Sequence, residues 1–370
     1  MPLHNDKLLV HSWAPAPPGW LERVSARFPG LDVRWEQTPM GKDDLVAADT
    51  LPAEVKDGVT MICVFPPPSP EMMKHVRFVQ LASAGSDRWL QHPSYLNPDV
   101  QFCSASGCHA TGRSFEPFPR KSVLTFPISC SPQIAEWVFG SWLSFTHHFQ
   151  AYTEQQKAQD WRMRVDLPVK DGLGRRMGIL GYGAIGRQCA RLASAFGLEV
   201  YAFTNSPRPT PESRKHDGFT ISGTGDPDGI IPAKWFSGGQ LNEFLAQDLD
   251  ILVISTPLTS STRGLIGAEQ FKIMSKSKTF VSNIGRGPII DTASLVEALE
   301  KGLIGGAALD VQDPEPLPAG HPLWTAPNVF ISPHMSWSST SITPRLAELL
   351  YQNLERLDRG EPLLNLIKKT

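Results

Sequence analysis

The chain has 370 residues, 41% of them hydrophobic, and 35 Lys and Arg against 37 Asp and Glu leave a formal net charge of -2. That balance excludes the basic footprint of a nucleic-acid binder, and the length is enough for two domains. No apolar run is long enough to span a bilayer, the N-terminus lacks a signal-peptide core and Lys368-Lys369-Thr370 is not a peroxisomal tripeptide, so a cytoplasmic, membrane-free protein is expected.

In chain order, Leu8-Leu9-Val10-His11, Met61-Ile62-Cys63-Val64-Phe65 and Phe78-Val79-Gln80-Leu81 read as strands alternating with helical patches, the pattern of an open α/β sheet. The turns Ser83-Ala84-Gly85-Ser86 and Ser104-Ala105-Ser106-Gly107 follow strands and are able to present backbone N–H groups to an anion. The five cysteines, 63, 103, 108, 130 and 189, fit reduced thiols. Cys103, Cys108 and His109 are close in sequence, but no second ligand cluster supports them and no metal site is expected. Residues 112 to 132 are proline-rich and aperiodic. They read equally as a short intron translated in frame, which the Pro132-Gln133 ending suits, and as a genuine disordered loop.

An aromatic-rich helix spans Ile134 to Phe149, with a domain boundary nearby, and then comes the most informative stretch, Gly178-Ile179-Leu180-Gly181-Tyr182-Gly183-Ala184-Ile185-Gly186. Arg176 to Leu180 predicts a buried strand. Ile185, Cys189, Leu192, Ala193 and Phe196 recur at helical spacing until Gly197, and Leu198 to Phe203 predicts a second strand. The G-x-G-x-x-G turn thus sits inside a β-α-β unit. Gly181 serves the tight turn, Gly183 admits a pyrophosphate and Gly186 lets the helix pack on the strand. Pro207 to Gln240 is a Pro/Gly/Ser-rich connection expected to be a surface excursion near the adenosine. Strands are predicted at 249–254, 279–283, 306–310 and 329–331, and leucines at helical spacing from Leu346 to Leu357 predict a final amphipathic helix that stops at Gly360.

Three polar residues stand at or after strand ends: Arg286, Glu315 and His334. Singly, each has an ordinary alternative as a surface arginine, a solvated loop charge and a core histidine. Together they supply what hydride transfer at a 2-oxo acid needs. The planar guanidinium grips a carboxylate and polarises the adjacent carbonyl, the imidazole exchanges a proton near neutral pH, and a carboxylate steadies the imidazolium.

Four motifs in order, Gly181 to Gly186, Asn283-Ile284-Gly285-Arg286-Gly287 with Asp291, Ala308-Leu309-Asp310-Val311 leading to Glu315-Pro316-Leu317-Pro318, and Ser332-Pro333-His334, make the chain resemble the D-isomer-specific 2-hydroxyacid dehydrogenase family, nearest its glyoxylate/hydroxypyruvate reductase-like members. The resemblance runs from about residue 75 to the C-terminus. It implies a Rossmann dinucleotide-binding domain, 134–337, inserted into a flavodoxin-like α/β substrate domain formed by 1–133 and 338–370. It implies that Arg286 binds substrate and that Glu315 and His334 form the acid/base pair. Gly181, Gly183, Ala184 and Ile185 would hold the cofactor pyrophosphate, Thr256-Pro257 would line the ribose, Asp310 would lie near the nicotinamide carboxamide, and the backbone of Ala84-Gly85 would help hold the substrate carboxylate. A homodimer is expected.

After the second strand the residues are Thr204-Asn205-Ser206-Pro207-Arg208, with no acid to accept a ribose 2′-OH. Thr204, Asn205 and Arg208, with Arg214 or Lys215, therefore favour NADP(H) over NAD(H), although these cations read alternatively as solvated loop charges. Glyoxylate and hydroxypyruvate are the expected substrates by analogy. Trp89, Trp324 and Trp337 are candidates for an apolar pocket wall or for simple packing. The rival from another class is a nucleotide-sensing, dehydrogenase-like interaction protein without turnover. Formate dehydrogenase is the rival within the fold, disfavoured by Pro333 before His334.

Overall fold

A computed structural model describes residues 3–38, 46–106, 132–216, 218 and 223–367. The insert reading at 112–132, except for its last residue, and the residues Cys108 and His109 lie outside the described residues. The chain divides into two units, Met1–Ser129 with Ser339–Thr370, and Cys130–Ser338.

In the first unit, β1 (Lys7–Ser12), β2 (Asp32–Gln37), β3 (Met61–Val64), β4 (Phe78–Leu81) and β5 (Gln101–Cys103) form a parallel sheet in the order β2-β1-β3-β4-β5. This is the flavodoxin-like order. β3 and β4 are buried throughout, as expected of interior strands covered on both faces. The helix Ile342–Arg359 belongs to this unit and is tied to it by polar groups. Asn353, fully buried, donates to Gln80 Oε1 at 3.0 Å and accepts from the Leu364 N–H at 2.8 Å, while Trp20 Nε1 donates to the Ala347 carbonyl. Gly360 ends the helix in the left-handed region (φ 68°).

The second unit holds a seven-stranded parallel sheet: β6 (Arg176–Leu180), β7 (Glu199–Thr204), β8 (Lys234–Ser237), β9 (Ile251–Ile254), β10 (Phe280–Asn283), β11 (Gly306–Leu309) and β12 (Val329–Ile331). Their order is β12-β11-β10-β9-β6-β7-β8, so the winding reverses between β6 and β9. This is the doubly wound Rossmann arrangement, and its ligand crevice lies at the carboxyl ends of the strands flanking that reversal. Alternation along each strand divides the core. Met177, Ile179, Val200, Ala202 and Val253 pack on one face, Leu180, Tyr201, Phe203, Leu252 and Ile254 on the other.

The structure corrects several local readings. The aromatic helix runs Pro132–Thr146 and is followed, after a left-handed His148 (φ 57°), by a second helix, Phe149–Lys157. The Pro207–Gln240 stretch is no simple surface loop, since it contains β8 and the buried Asp226. β2 and β5 escape the hydrophobic pattern because β2 is half-exposed and β5 has only 3 residues. Trp89 is no pocket wall. It is 1% exposed, packed edge-on against Phe102 in the first unit's core. No helix among the described residues is long and apolar enough to cross a membrane.

Candidate active site

The fingerprint turn leaves β6 at Gly181, whose φ of 101° is open to glycine and strained for other residues. A Cβ there would lie 2.7 Å from the Thr256 backbone nitrogen, and one on Gly186 would lie 2.3 Å from the Gly181 carbonyl. These two glycines are needed for backbone packing. Gly183 is different, because a Cβ on it would meet nothing within 4 Å. The open space lies beside the first turn of the helix Ala184–Ala195, which has no side-chain N-cap. A helix start left without a side-chain acceptor beside a bare backbone suits an anion such as a dinucleotide pyrophosphate. Across the winding reversal, Ser255 Oγ donates to the Gly181 carbonyl at 2.7 Å, so the loop carrying Thr256 and Pro257 is fastened to the fingerprint.

At the end of β7, Thr204 Oγ1 donates to the Ser206 carbonyl at 2.8 Å. Asn205 and Arg208 are exposed. Arg208 Nη1 donates to the Ser213 carbonyl and no carboxylate occupies the strand end.

Arg286 follows β10 in a loop shaped by Asn283, which is 1% exposed. Asn283 Nδ2 donates to the Arg286 carbonyl at 3.0 Å and its Oδ1 accepts from the Gly285 N–H at 3.1 Å. The arginine is flanked by glycines for a steric reason. A Cβ on Gly285 would sit 2.8 Å from the Thr256 carbonyl, and one on Gly287 would sit 1.8 Å from the Gln312 carbonyl. The loops after β9, β10 and β11 therefore touch backbone to backbone.

β11 and β12 run side by side with Leu309 opposite Ile331, which brings Asp310 next to Ser332 and His334. Asp310 is 1% exposed. Its carboxylate accepts from Ser332 Oγ at 2.6 Å, from the N–H groups of Met335 and Ser336, and from Ser336 Oγ, while its carbonyl accepts from the His334 N–H at 2.8 Å. Trp337 Nε1 donates to the His334 carbonyl at 2.6 Å. His334 is thereby held at φ 54°, a left-handed conformation that a non-glycine residue keeps only when its surroundings impose it. Its Nδ1 meets Glu315 Oε1 at 2.7 Å. Burial alone would raise the Glu315 carboxyl pKa. The His334 hydrogen bond and charge, the Gln312 backbone N–H and the Arg286 guanidinium outweigh it and hold the group below the ordinary carboxylate range.

The structure thus brings Arg286, Glu315 and His334 into one electrostatic neighbourhood. Ala84 and Gly85 lie in the first unit after β4, where Ser83 Oγ donates to the Gly85 carbonyl at 2.7 Å. Trp324 is half exposed and bonded to the Pro318 carbonyl. Cys103 is buried, and desolvation pushes its thiol up to about 12. Missed from sequence were the partners of Asp310, the steric duty of Gly285 and Gly287, and the bracing of Gln312 against the Leu309 and Ser332 carbonyls. The paired glycines about Arg286 were the available signal.

The model of the D-isomer specific 2-hydroxyacid dehydrogenase NAD binding domain matches residues 139–223 and 233–336. The chain belongs to this family and is an NAD(P)-dependent oxidoreductase. It is 32% identical over 236 residues to a glycerate dehydrogenase of Methylorubrum extorquens, covering 62% of this chain and 66% of that one. It is 35% identical over 196 residues to a glyoxylate reductase of Aeropyrum pernix, covering 53% and 52%. These two matches therefore span about half to two thirds of the relatives' length. Among solved structures, it superposes with a TM-score of 0.70, at 24% identity over 98% of each chain, on a D-isomer specific 2-hydroxyacid dehydrogenase of Xanthobacter autotrophicus Py2 determined with NADPH and MES.

Proposed function

We propose that the protein is a D-2-hydroxyacid dehydrogenase of the glyoxylate/hydroxypyruvate reductase type that reduces a small 2-oxo acid with NADPH in preference to NADH. The observation that carries this reading is the 2.7 Å His334–Glu315 pair, held in a strained loop beside the Arg286 charge. A nicotinamide dinucleotide held at the fingerprint would supply the hydride. Arg286 binds the substrate carboxylate and polarises the 2-oxo group. With Nδ1 engaged by Glu315, His334 uses Nε2 to protonate the carbonyl oxygen, and Glu315 balances the imidazolium. In the oxidative direction the same imidazole takes the hydroxyl proton.

In this reading Gly181, Gly183, Ala184 and Ile185 cradle the pyrophosphate, Thr256 and Pro257 line the nicotinamide ribose, and Thr204, Asn205 and Arg208 meet the adenosine ribose. For Asp310 we assign fixation of the His334 loop as its main work, since four donors already converge on its carboxylate. The substrate-carboxylate role of Ala84 and Gly85 stands on the family resemblance alone. NADPH is favoured by the missing acid after β7 and by exposed Arg208. The substrate class follows the activities of the relatives, which also disfavour a nucleotide sensor without turnover. A cytoplasmic location suits the free, buried thiols of Cys63 and Cys103. A homodimer is supported by the apolar side chains exposed between Phe149 and Leu173, among them Trp161, Met163 and Val165.

The test is dinucleotide oxidation by purified protein with glyoxylate, hydroxypyruvate, pyruvate and bulkier 2-oxo acids, with each cofactor in turn. Turnover of the first two is expected, with NADPH at a higher kcat/KM than with NADH. Cofactor binding without reduction of any acid would overturn the proposal.

A further inference from the structure

β7 and β8 are adjacent parallel strands, and such pairs are usually joined through a crossover helix. The described part of this crossover contains only the one-turn helix Pro211–Arg214. Its shape is imposed from elsewhere, by the fingerprint itself. Arg187 and Gln188, on the helix that follows the fingerprint turn, are 3% and 6% exposed. Groups so polar tolerate such burial only when paired.

Their side-chain hydrogen bonds run into the crossover. Arg187 donates to the carbonyls of Asp226 and Arg214, Gln188 Oε1 accepts from the Gly225 N–H at 2.7 Å, and Arg191 donates to the Gly225 carbonyl. Tyr182, between the first two glycines of the fingerprint, donates its hydroxyl to Asp226 Oδ2 at 2.7 Å. Asp226, itself 3% exposed, also collects the N–H groups of Ile230 and Ile231. The aromatic ring of Tyr182 lies beneath Arg187 and edge-on to Trp235, and Arg214 covers Trp235. From there the connection reaches Arg208, whose carbonyl accepts from Arg214 Nε at 2.9 Å and whose guanidinium donates to Ser213.

We propose that Tyr182, Arg187 and Asp226 form a clamp that positions Arg208 for the 2′-phosphate of NADPH, so that cofactor discrimination is set partly from within the pyrophosphate turn. Tyr182 is a positioning residue here. It acts through Asp226 and Arg187 on the crossover, and it fastens the loop that reads the ribose to the loop that holds the pyrophosphate. The inference rests on the NADPH reading above.

The test is the dissociation constant of NADPH and of NADH, measured by calorimetry on the full chain. The forms compared are the wild type, Arg208→Ala, Tyr182→Phe, which keeps the ring, and the double variant. Loss of the hydroxyl bond is expected to weaken NADPH about fivefold with much less effect on NADH, and the effect should largely vanish in the Arg208→Ala background. Equal weakening of both cofactors, an unchanged ratio, or additive effects in the double variant would overturn the clamp. The underlying reading fails separately and visibly if the wild type does not favour NADPH or if Arg208→Ala alone leaves the ratio unchanged. Asp226→Asn keeps the question open to measurement if Tyr182→Phe does not fold, with the same expected and contrary results.

Discussion

Glu315 shows how one side chain links fold stability to chemistry. Its carboxyl is held below the ordinary value of about 4.3 by His334, Gln312 and Arg286 acting against burial. A depressed folded-state pKa gives stability that is fully present above the unfolded value and lost as pH falls through the folded one. The melting-temperature difference between wild type and Glu315→Gln is therefore expected to be largest near neutrality and to shrink between about pH 4.3 and lower values. A gap that is constant or widens on acidification would contradict the ion-pair account. Far from Glu315 in sequence, Thr204→Asp places an acid where β7 ends. It is expected to move the NADPH/NADH preference toward NADH by about tenfold, the scale of a gained charge-assisted bond together with repulsion of a phosphate. Steady-state kcat/KM with each cofactor reads this directly, and an unchanged ratio would refute the assignment of that strand end.

At the scale of elements, the site is built by loops that abut where β9, β10 and β11 end. Gly287→Ala puts a methyl group into the Gln312 carbonyl, so the loop pair must separate. The expected cost is about 1–3 kcal/mol in denaturant unfolding, accompanied by a fall in kcat as the segment leading to Glu315 shifts. A variant with unchanged stability and rate would show that the close approach is dispensable. The elements themselves were unevenly legible. β6 and β9 announce themselves because strands buried on both faces are almost wholly apolar, and the fingerprint places its helix. β2 and β8 present mixed residues, and the single-turn break at His148 has no Gly or Pro to mark it. Arg286, Glu315 and His334, the proposed site residues, stand out because each follows a recognisable strand. The bonds that hold them do not. Asp310 reaches residues 22 to 26 positions away, and the Asp226 clamp spans 39 to 44, distances over which local spacing carries no information.

For the whole molecule, the second unit exposes Trp161 at 98%, Val165 at 84% and both Met163 and Leu173 at 81% within one short segment. Isolated apolar residues on a surface are ordinary, whereas a run of large ones marks an association site. A second copy of the chain is the proposed occupant. Sedimentation is expected to report a dimer for the wild type and a shift toward monomer for Trp161→Glu, and a monomeric wild type would refute this. Charge gives no reason to expect a nucleic-acid partner, with 35 basic against 37 acidic residues.

In the proposed reaction His334, held by Glu315 and the Asp310-anchored loop, moves the proton that accompanies hydride transfer. The decisive variant is His334→Ala, with turnover of glyoxylate and hydroxypyruvate measured beside calorimetric binding of NADPH. The expected result is a loss of kcat of about 10²–10⁴-fold with the NADPH dissociation constant nearly unchanged. Near-normal turnover in that variant would contradict it.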